Sequence, residues 1–227
     1  MMKDEVAGRP PEHKSLKQIA IDELRRRIFT RELGPGTRVD QVAIAKEMGM
    51  SRIPVREAIS ALVVEGMLEM KPRRGTFVVP LRKSDIADHY WVMAMISTRT
   101  IERAAEHITP EAIAQLESLA DGMEAAVTHE GRERLNFEFH SIINHSADSR
   151  RLLSVLRGLG RPIPLRYYES HGKFAKQADR EHREMIAALK SGDSERAAAV
   201  MANHFDNGVQ DSIAVLEDQG FWEDSED

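Results

Sequence analysis

The chain has 227 residues, 41% of them hydrophobic and 30% charged, enough for one large globular domain or two small ones. It contains no cysteine, which excludes disulfides and thiolate metal sites, and its longest apolar run, Trp91 to Ile96, falls far short of the roughly 20 residues that span a bilayer. The net charge of −5, taken whole, argues against a nucleic-acid partner.

That sum conceals an asymmetry. Residues 1–80 carry 15 Lys/Arg against 11 Asp/Glu, a net of +4, whereas residues 81–227 carry 17 against 26, a net of −9. Opposite signs on two halves point to two jobs, and the pattern divides near Pro80. Residues 1–14 read as a polar, Pro-containing arm without the apolar stretch of a signal peptide, so the expected location is cytoplasmic.

Leu16, Ala20, Leu24 and Ile28 recur at helical spacing, with Arg25, Arg26, Arg27 and Arg31 near the end. The run Leu33-Gly34-Pro35-Gly36 stops that helix. A short helix follows over Asp40–Glu47, then a turn at Gly49. A second helix runs from Ser51, its expected N-cap, to about Glu65, with Val55, Ala58, Ile59 and Leu62 inward. Two helices joined by a short Gly-containing turn are a helix-turn-helix signal. Arg52 and Arg56 are four residues apart, on one face of the second helix's first turn, where recognition helices meet bases. Met67–Met70 and Thr76–Val79 are spaced to pair as two short strands around a basic tip containing Lys71, Arg73, Arg74 and Gly75. Such a wing suits phosphates or the minor groove, and equally a solvated hairpin; Arg52 and Arg56 tilt the balance to DNA.

From Ser84 onward the spacing is helical throughout, with predicted helices over 84–107, 110–128, 132–146, 149–170, 175–190 and 193–217. Pro110, Gly131, Gly172 and Gly192 punctuate them, and Pro162 with Pro164 predicts a kink in the fourth. Residues 81–218 therefore read as an antiparallel six-helix bundle, and 219–227 as an acidic tail. His140, His182 and His204 fall on three different predicted helices, and Asn136 lies one turn before His140. A bundle interior could converge them on one divalent cation. On spacing alone, the commoner alternative for each is a hydrogen-bonded or surface histidine. Trp91, Met93 and Met95 suit packing or a dimer contact.

The segment Gly36-Thr37-Arg38-Val39, followed by Ile44 to Ile59 with its Ser51-Arg52-Ile53-Pro54-Val55-Arg56-Glu57-Ala58 core, Glu65-Gly66-Met67-Leu68 and Arg74-Gly75-Thr76-Phe77-Val78, resembles the winged helix-turn-helix of GntR-family transcriptional regulators. The resemblance covers about residues 15–80. It implies that Arg52 and Arg56, with Ser51 at the helix start, read an operator, and that Arg73, Arg74 and Gly75 form the wing's DNA contact. A third DNA-contacting arginine of one branch is replaced by Val42. The second half resembles the FCD ligand-binding domain, through Asn136, Phe139-His140, Glu181-His182, Ala188-Leu189, Gly192-Asp193 and His204. Its six-helix count is that of the shorter, VanR-like branch.

This resemblance implies a metal site of His140, His182 and His204, with Asn136 standing where Asp is commoner. The implied cofactor is a divalent ion, zinc first and nickel or manganese next. The arginine that many FCD domains carry four residues before the glutamate matched by Glu102 is Thr98 here, so Arg161 and Arg166 are the candidates for an effector's carboxylate. The whole reading is a mainly α protein, a winged helix-turn-helix followed by an FCD-like bundle. It is expected to act as a homodimeric regulator, a repressor of double-stranded operator DNA whose binding responds to a small organic or sugar acid, with no membrane partner. The alternatives are a metal-dependent helical-bundle enzyme and an effector-free DNA-binding protein. The paired Glu-x-x-His motifs of di-iron bundles, a P-loop and Gly-x-Ser-x-Gly are all absent from the sequence, which disfavours the enzyme.

Overall fold

The computed structural model describes residues 14–159, 172–218 and 220–222. Residues 1–13 of the expected arm, Arg161, Pro162, Pro164, Arg166 and most of the acidic tail lie outside the described residues. The chain divides into two compact units, residues 1–80 and 81–227.

In the first unit, α1 (Leu16–Phe29) starts at Ser15, whose side chain accepts from the Gln18 backbone N–H. Ala20, Leu24 and Ile28 of the expected stripe are buried, joined by Ile21, whereas Leu16, in the first turn, is exposed. The next helix, α2 (Gln41–Glu47), begins one residue later than the sequence pattern suggests. Asp40 is its N-cap, taking the Val42 and Ala43 N–H groups at 2.8 and 3.1 Å. Gly49, at a φ of +63°, turns the chain into α3 (Arg52–Val64). Val55, Ala58, Ile59 and Leu62 pack inward with α1 and α2. Strands β1 (Leu68–Lys71) and β2 (Gly75–Val78) pair antiparallel, Leu68 opposite Val78 and Lys71 opposite Gly75. The strands are each displaced by one residue from the expected spans, which leaves a three-residue tip. An additional bridge joins Arg38 to Phe77, and the Val39 N–H donates to Thr76 O at 2.8 Å.

The second unit contains six helices among the described residues: α4 (Lys83–His107), α5 (Pro110–Ala125), α6 (His129–Ser146), α7 (Arg150–Leu159), α8 (Gly172–Ser191) and α9 (Ser194–Asp218). The two 25-residue helices, α4 and α9, pack along each other. Ile101, Leu116, Met123, Phe139, Ile143, Met185 and Met201 form the core. Helix α6 starts earlier than expected because Thr128 caps it: its hydroxyl accepts the Gly131 N–H at 3.2 Å. Gly131 is therefore a first-turn residue and not a break; a Cβ there would lie 2.9 Å from the Thr128 Oγ1. The stop between α8 and α9 is as expected, with Gly192 at a φ of +68° and Asp193 accepting the Arg196 N–H at 3.0 Å.

The α4–α9 seam has little spare room. The Tyr90 hydroxyl and the Ser212 hydroxyl are 2.6 Å apart, and the Tyr90 ring meets Phe205 edge-on. A Cβ on Gly208 would stand 2.9 Å from Tyr90 Cε1. Gly208→Ala is expected to displace the ring and destabilise the chain by about 1–3 kcal/mol in urea unfolding.

Candidate DNA-reading surface and histidine centre

Most of the first unit's early arginines are engaged within the fold. Arg25, nearly buried, pairs with Glu65 at 2.5 Å and ties α1 to the end of α3. Arg26 bonds Glu23 and Glu32, and Arg27 bonds Glu23 and Glu47. Arg52 and Arg56 differ: both are exposed and form no ion pair among the described residues. They line one depression with Gln41, Val42 and Ile53. The Gln41 amide donates to the Arg52 carbonyl at 2.9 Å, which fixes the start of α2 against the start of α3.

Ser51 has the extended backbone of an N-cap, but its side chain makes no capping hydrogen bond. The expected cap is thus positional only, and the hydroxyl is not spent on the helix. At the wing, Arg73 (φ +59°) and Gly75 (φ +109°) sit in the left-handed region. A Cβ on Gly75 would lie 2.9 Å from the Arg38 Nε. Glycine is needed there partly because Arg38 crosses the tip. Lys71 and Arg74 lie over the Phe77 ring at 5.2 and 6.0 Å. Arg38 was not singled out from its residue type. The signal was tertiary, since backbone pairing of this segment with β2, including the bridge to Phe77, brings it to the wing.

In the second unit, α6, α8 and α9 bring His140, His182 and His204 together. One ring nitrogen from each lies within 4.8 Å of the others. Ring centroids are 5.0 Å apart for His182–His204, 5.2 Å for His140–His204 and 5.5 Å for His140–His182. His182 is 1% exposed, and neither ring nitrogen has a hydrogen-bond partner. Phe139 packs against it at 4.6 Å. Burial, then the His204 and His140 rings and Arg132, hold its pKa well below the ordinary 6.5. His182 is therefore a neutral imidazole with lone-pair character available, as a metal ligand must be. The other two rings are only partly buried. Asn136 is partly buried, one turn before His140 on α6.

The supporting roles of two groups, Glu181 and Arg132, are not legible in the motif alone. Glu181 Oε2 lies 2.8 Å from His204 Nδ1, and its other oxygen accepts from Asn207 at 2.6 Å and Gln177 at 3.1 Å. A carboxylate can only accept, so Nδ1 carries a proton, and in the neutral ring the lone pair is then on Nε2. Burial would raise the Glu181 carboxyl, but the His204 hydrogen bond and charge, with Asn207 and Gln177, bring it below its ordinary value. Arg132 donates to Asp179 at 2.5 and 3.3 Å, to Met123 O at 2.8 Å and to Ala175 O at 2.9 Å. It locks α6 to α5 and α8, and so sets the spacing of His140 and His182. The legible signals were the Asp179-x-x-His182 spacing and Arg132 one turn before Asn136. Arg99, one step from the usual effector position, pairs with Glu102 at 2.8 Å on the surface. Arg161 and Arg166 lie outside the described residues.

A winged helix-turn-helix with two exposed arginines, in one chain with an all-helical unit bearing a three-histidine centre, defines a two-domain transcriptional regulator. Residues 88–207 match the FCD domain, and residues 16–78 match the bacterial regulatory proteins of the gntR family. The chain belongs to the GntR family, with an FCD domain as its second part. It is 28% identical over 206 residues to the uncharacterized HTH-type transcriptional regulator YdhC of Bacillus subtilis, covering 87% of this chain and 91% of that one. It is 27% identical over 206 residues to the gluconate operon transcriptional repressor of the same organism, covering 86% and 83%. Among solved structures, E. coli McbR/YncC shares the fold with a TM-score of 0.66 at 24% identity, covering 91% of this chain and 99% of that one. The two Bacillus subtilis relatives are named as transcriptional regulators, not as enzymes. No helix among the described residues is long and apolar enough to cross a membrane.

The burial of neutral His182 has a consequence for stability. Below pH 6.5 the unfolded chain protonates this imidazole while the folded chain does not, so its contribution is full above that value and is lost as pH falls. In chelator-treated protein this loss is at most about 1.4 kcal/mol between about pH 7.5 and about pH 5.5. Urea unfolding of wild type and His182→Leu at both pH values checks it, with a shallower pH dependence expected in the variant.

Proposed function

We propose that this regulator is a homodimeric repressor whose grip on operator DNA is set by a small carboxylate bound at a divalent metal in the FCD unit. The observation that carries this reading is the buried, unpartnered His182 imidazole facing two more histidines, in a chain whose first unit exposes Arg52 and Arg56. Arg52 and Arg56 would each address guanine O6 and N7 in the major groove, while Ser51, Arg73, Arg74 and the close-packed Gly75 backbone meet phosphates or the minor groove.

His140, His182 and His204 would hold the metal, with the Asn136 amide oxygen as a weaker fourth ligand. The three-nitrogen, cysteine-free donor set suits zinc, with nickel or manganese as alternatives. When bound, the metal would supply a positive centre for an organic or sugar acid, and Arg161 or Arg166 would take the rest of its charge. A relative named for a gluconate operon makes sugar acids the first class to try. A pairing surface is suggested by Trp91 and Met95, exposed one turn apart on α4, and by α7, which is amphipathic yet buries no residue. The effector would change operator affinity by as much as it prefers one arrangement of the dimer over the other. The setting is cytoplasmic.

Arg56→Ala is expected to cost about 1–3 kcal/mol of operator affinity, measured by fluorescence anisotropy on a selected duplex; unchanged affinity removes Arg56 from the reading head. Elemental analysis of purified protein should find one divalent metal per chain, reduced in both His140→Ala and His204→Ala. A thermal-shift screen of organic and sugar acids on metal-loaded protein should then find a stabilising ligand that loses its effect in those variants. Metal content untouched by both substitutions, or an apolar effector acting without metal, would sink the proposed centre.

A further inference from the structure

Two large apolar side chains stand in the same depression as the operator-facing arginines. Val42 and Ile53 are 57% and 59% exposed, and they line it together with Gln41, Arg52 and Arg56. Ile53 is about 100° around α3 from Arg52 and about 60° from Arg56, while the buried stripe of Val55, Ala58, Ile59 and Leu62 faces the other way. Val42 is the second residue of α2, held to the start of α3 by the Gln41 amide on the Arg52 carbonyl. The Asp40 carboxylate is occupied by the Val42 and Ala43 N–H groups, which leaves Val42 to project from a capped, ordered turn. The apolar pair is thus presented by two helices whose mutual position is fixed by hydrogen bonds.

Neither side chain can donate or accept a hydrogen bond. Against the major groove, the one apolar feature on a base edge is the C5-methyl group of thymine; adenine, guanine and cytosine present N7, amine or carbonyl groups there. Placing Val42 or Ile53 over a cytosine amine or a purine N7 would strip water from a polar group and return nothing. We propose that Val42 and Ile53 are specificity-determining residues that select thymine methyls beside the guanines addressed by Arg52 and Arg56. This rests on the operator-reading function and adds the bases flanking each guanine contact.

The test uses the full-length protein. A consensus duplex is selected from a random pool, and each thymine is then replaced singly by deoxyuridine, which removes only the methyl group. Wild-type protein should bind about three- to fivefold more weakly at one or two positions per half-site, the value expected for one methyl withdrawn from contact. Val42→Ala or Ile53→Ala should abolish the difference between thymine and uracil at its own position. Both variants should keep the wild-type dependence of affinity on salt, because no phosphate-facing charge is lost; a changed salt slope would mean a disturbed fold or docking and would count against direct reading. A consensus that emerges but is indifferent to every deoxyuridine, or whose methyl dependence survives in both variants, overturns the inference alone. Failure to enrich any sequence overturns operator reading itself, and this inference with it.

Discussion

The second unit is organised around an imidazole in a place where an imidazole is costly. His182 has almost no contact with water, and neither of its nitrogens is hydrogen-bonded. An unsatisfied buried polar group costs about 1–3 kcal/mol. The apolar core of the unit, with Phe139 packed against the ring, bears that cost. A leucine of similar size would be cheaper at this point if packing were the purpose. The proposed metal accounts for the discrepancy, since coordination returns the lone pair's lost hydration. The neighbouring contacts agree with that role: Glu181 sets the His204 tautomer, and the Arg132–Asp179 pair, with Arg132's bonds to the Met123 and Ala175 carbonyls, holds α6 at its distance from α8.

In the first unit the governing matter is where positive charge is neutralised. Arg25, Arg26 and Arg27 on α1 are tied to glutamates of the same unit and stiffen it. Outward positive charge gathers at the head of α3 and around the wing, at Arg52, Arg56, Arg73 and Arg74, joined there by Arg38, while Lys17 and Lys46 are exposed on α1 and α2. A count of basic residues therefore overstates the unpaired charge along α1. Gly75 illustrates the coupling. Its positive φ and its lack of a Cβ together let Arg38 cross the tip, so the backbone at the wing and the cation beside it depend on one another.

Much of this was legible beforehand, and the reasons are local. The stripes of α1 and α3 follow from helical spacing. The stop at Gly192-Asp193 and the helix start at Pro110 follow from cap and φ chemistry. The misreadings were also local. Gly131 reads as a breaker but is a first-turn glycine under the Thr128 cap, and Ser51 reads as a capping side chain but bonds no helical N–H. In both cases competing side-chain geometry, which spacing does not encode, decided the outcome.

By itself the sequence determined the order of elements, the division of charge, the two arginines on one helical face and the three histidines on three helices. Each of these depends on periodicity within a single element or on a motif a few residues long. Only the tertiary structure decided that the three histidines share one site, that His182 is the buried member, and that Glu181 and Arg132 serve it. It likewise placed Arg38 at the wing and set Val42 and Ile53 beside Arg52 and Arg56. Those facts belong to pairs of elements far apart in the chain. Their physical origin is burial and hydrogen bonding between surfaces that meet only when the chain is folded.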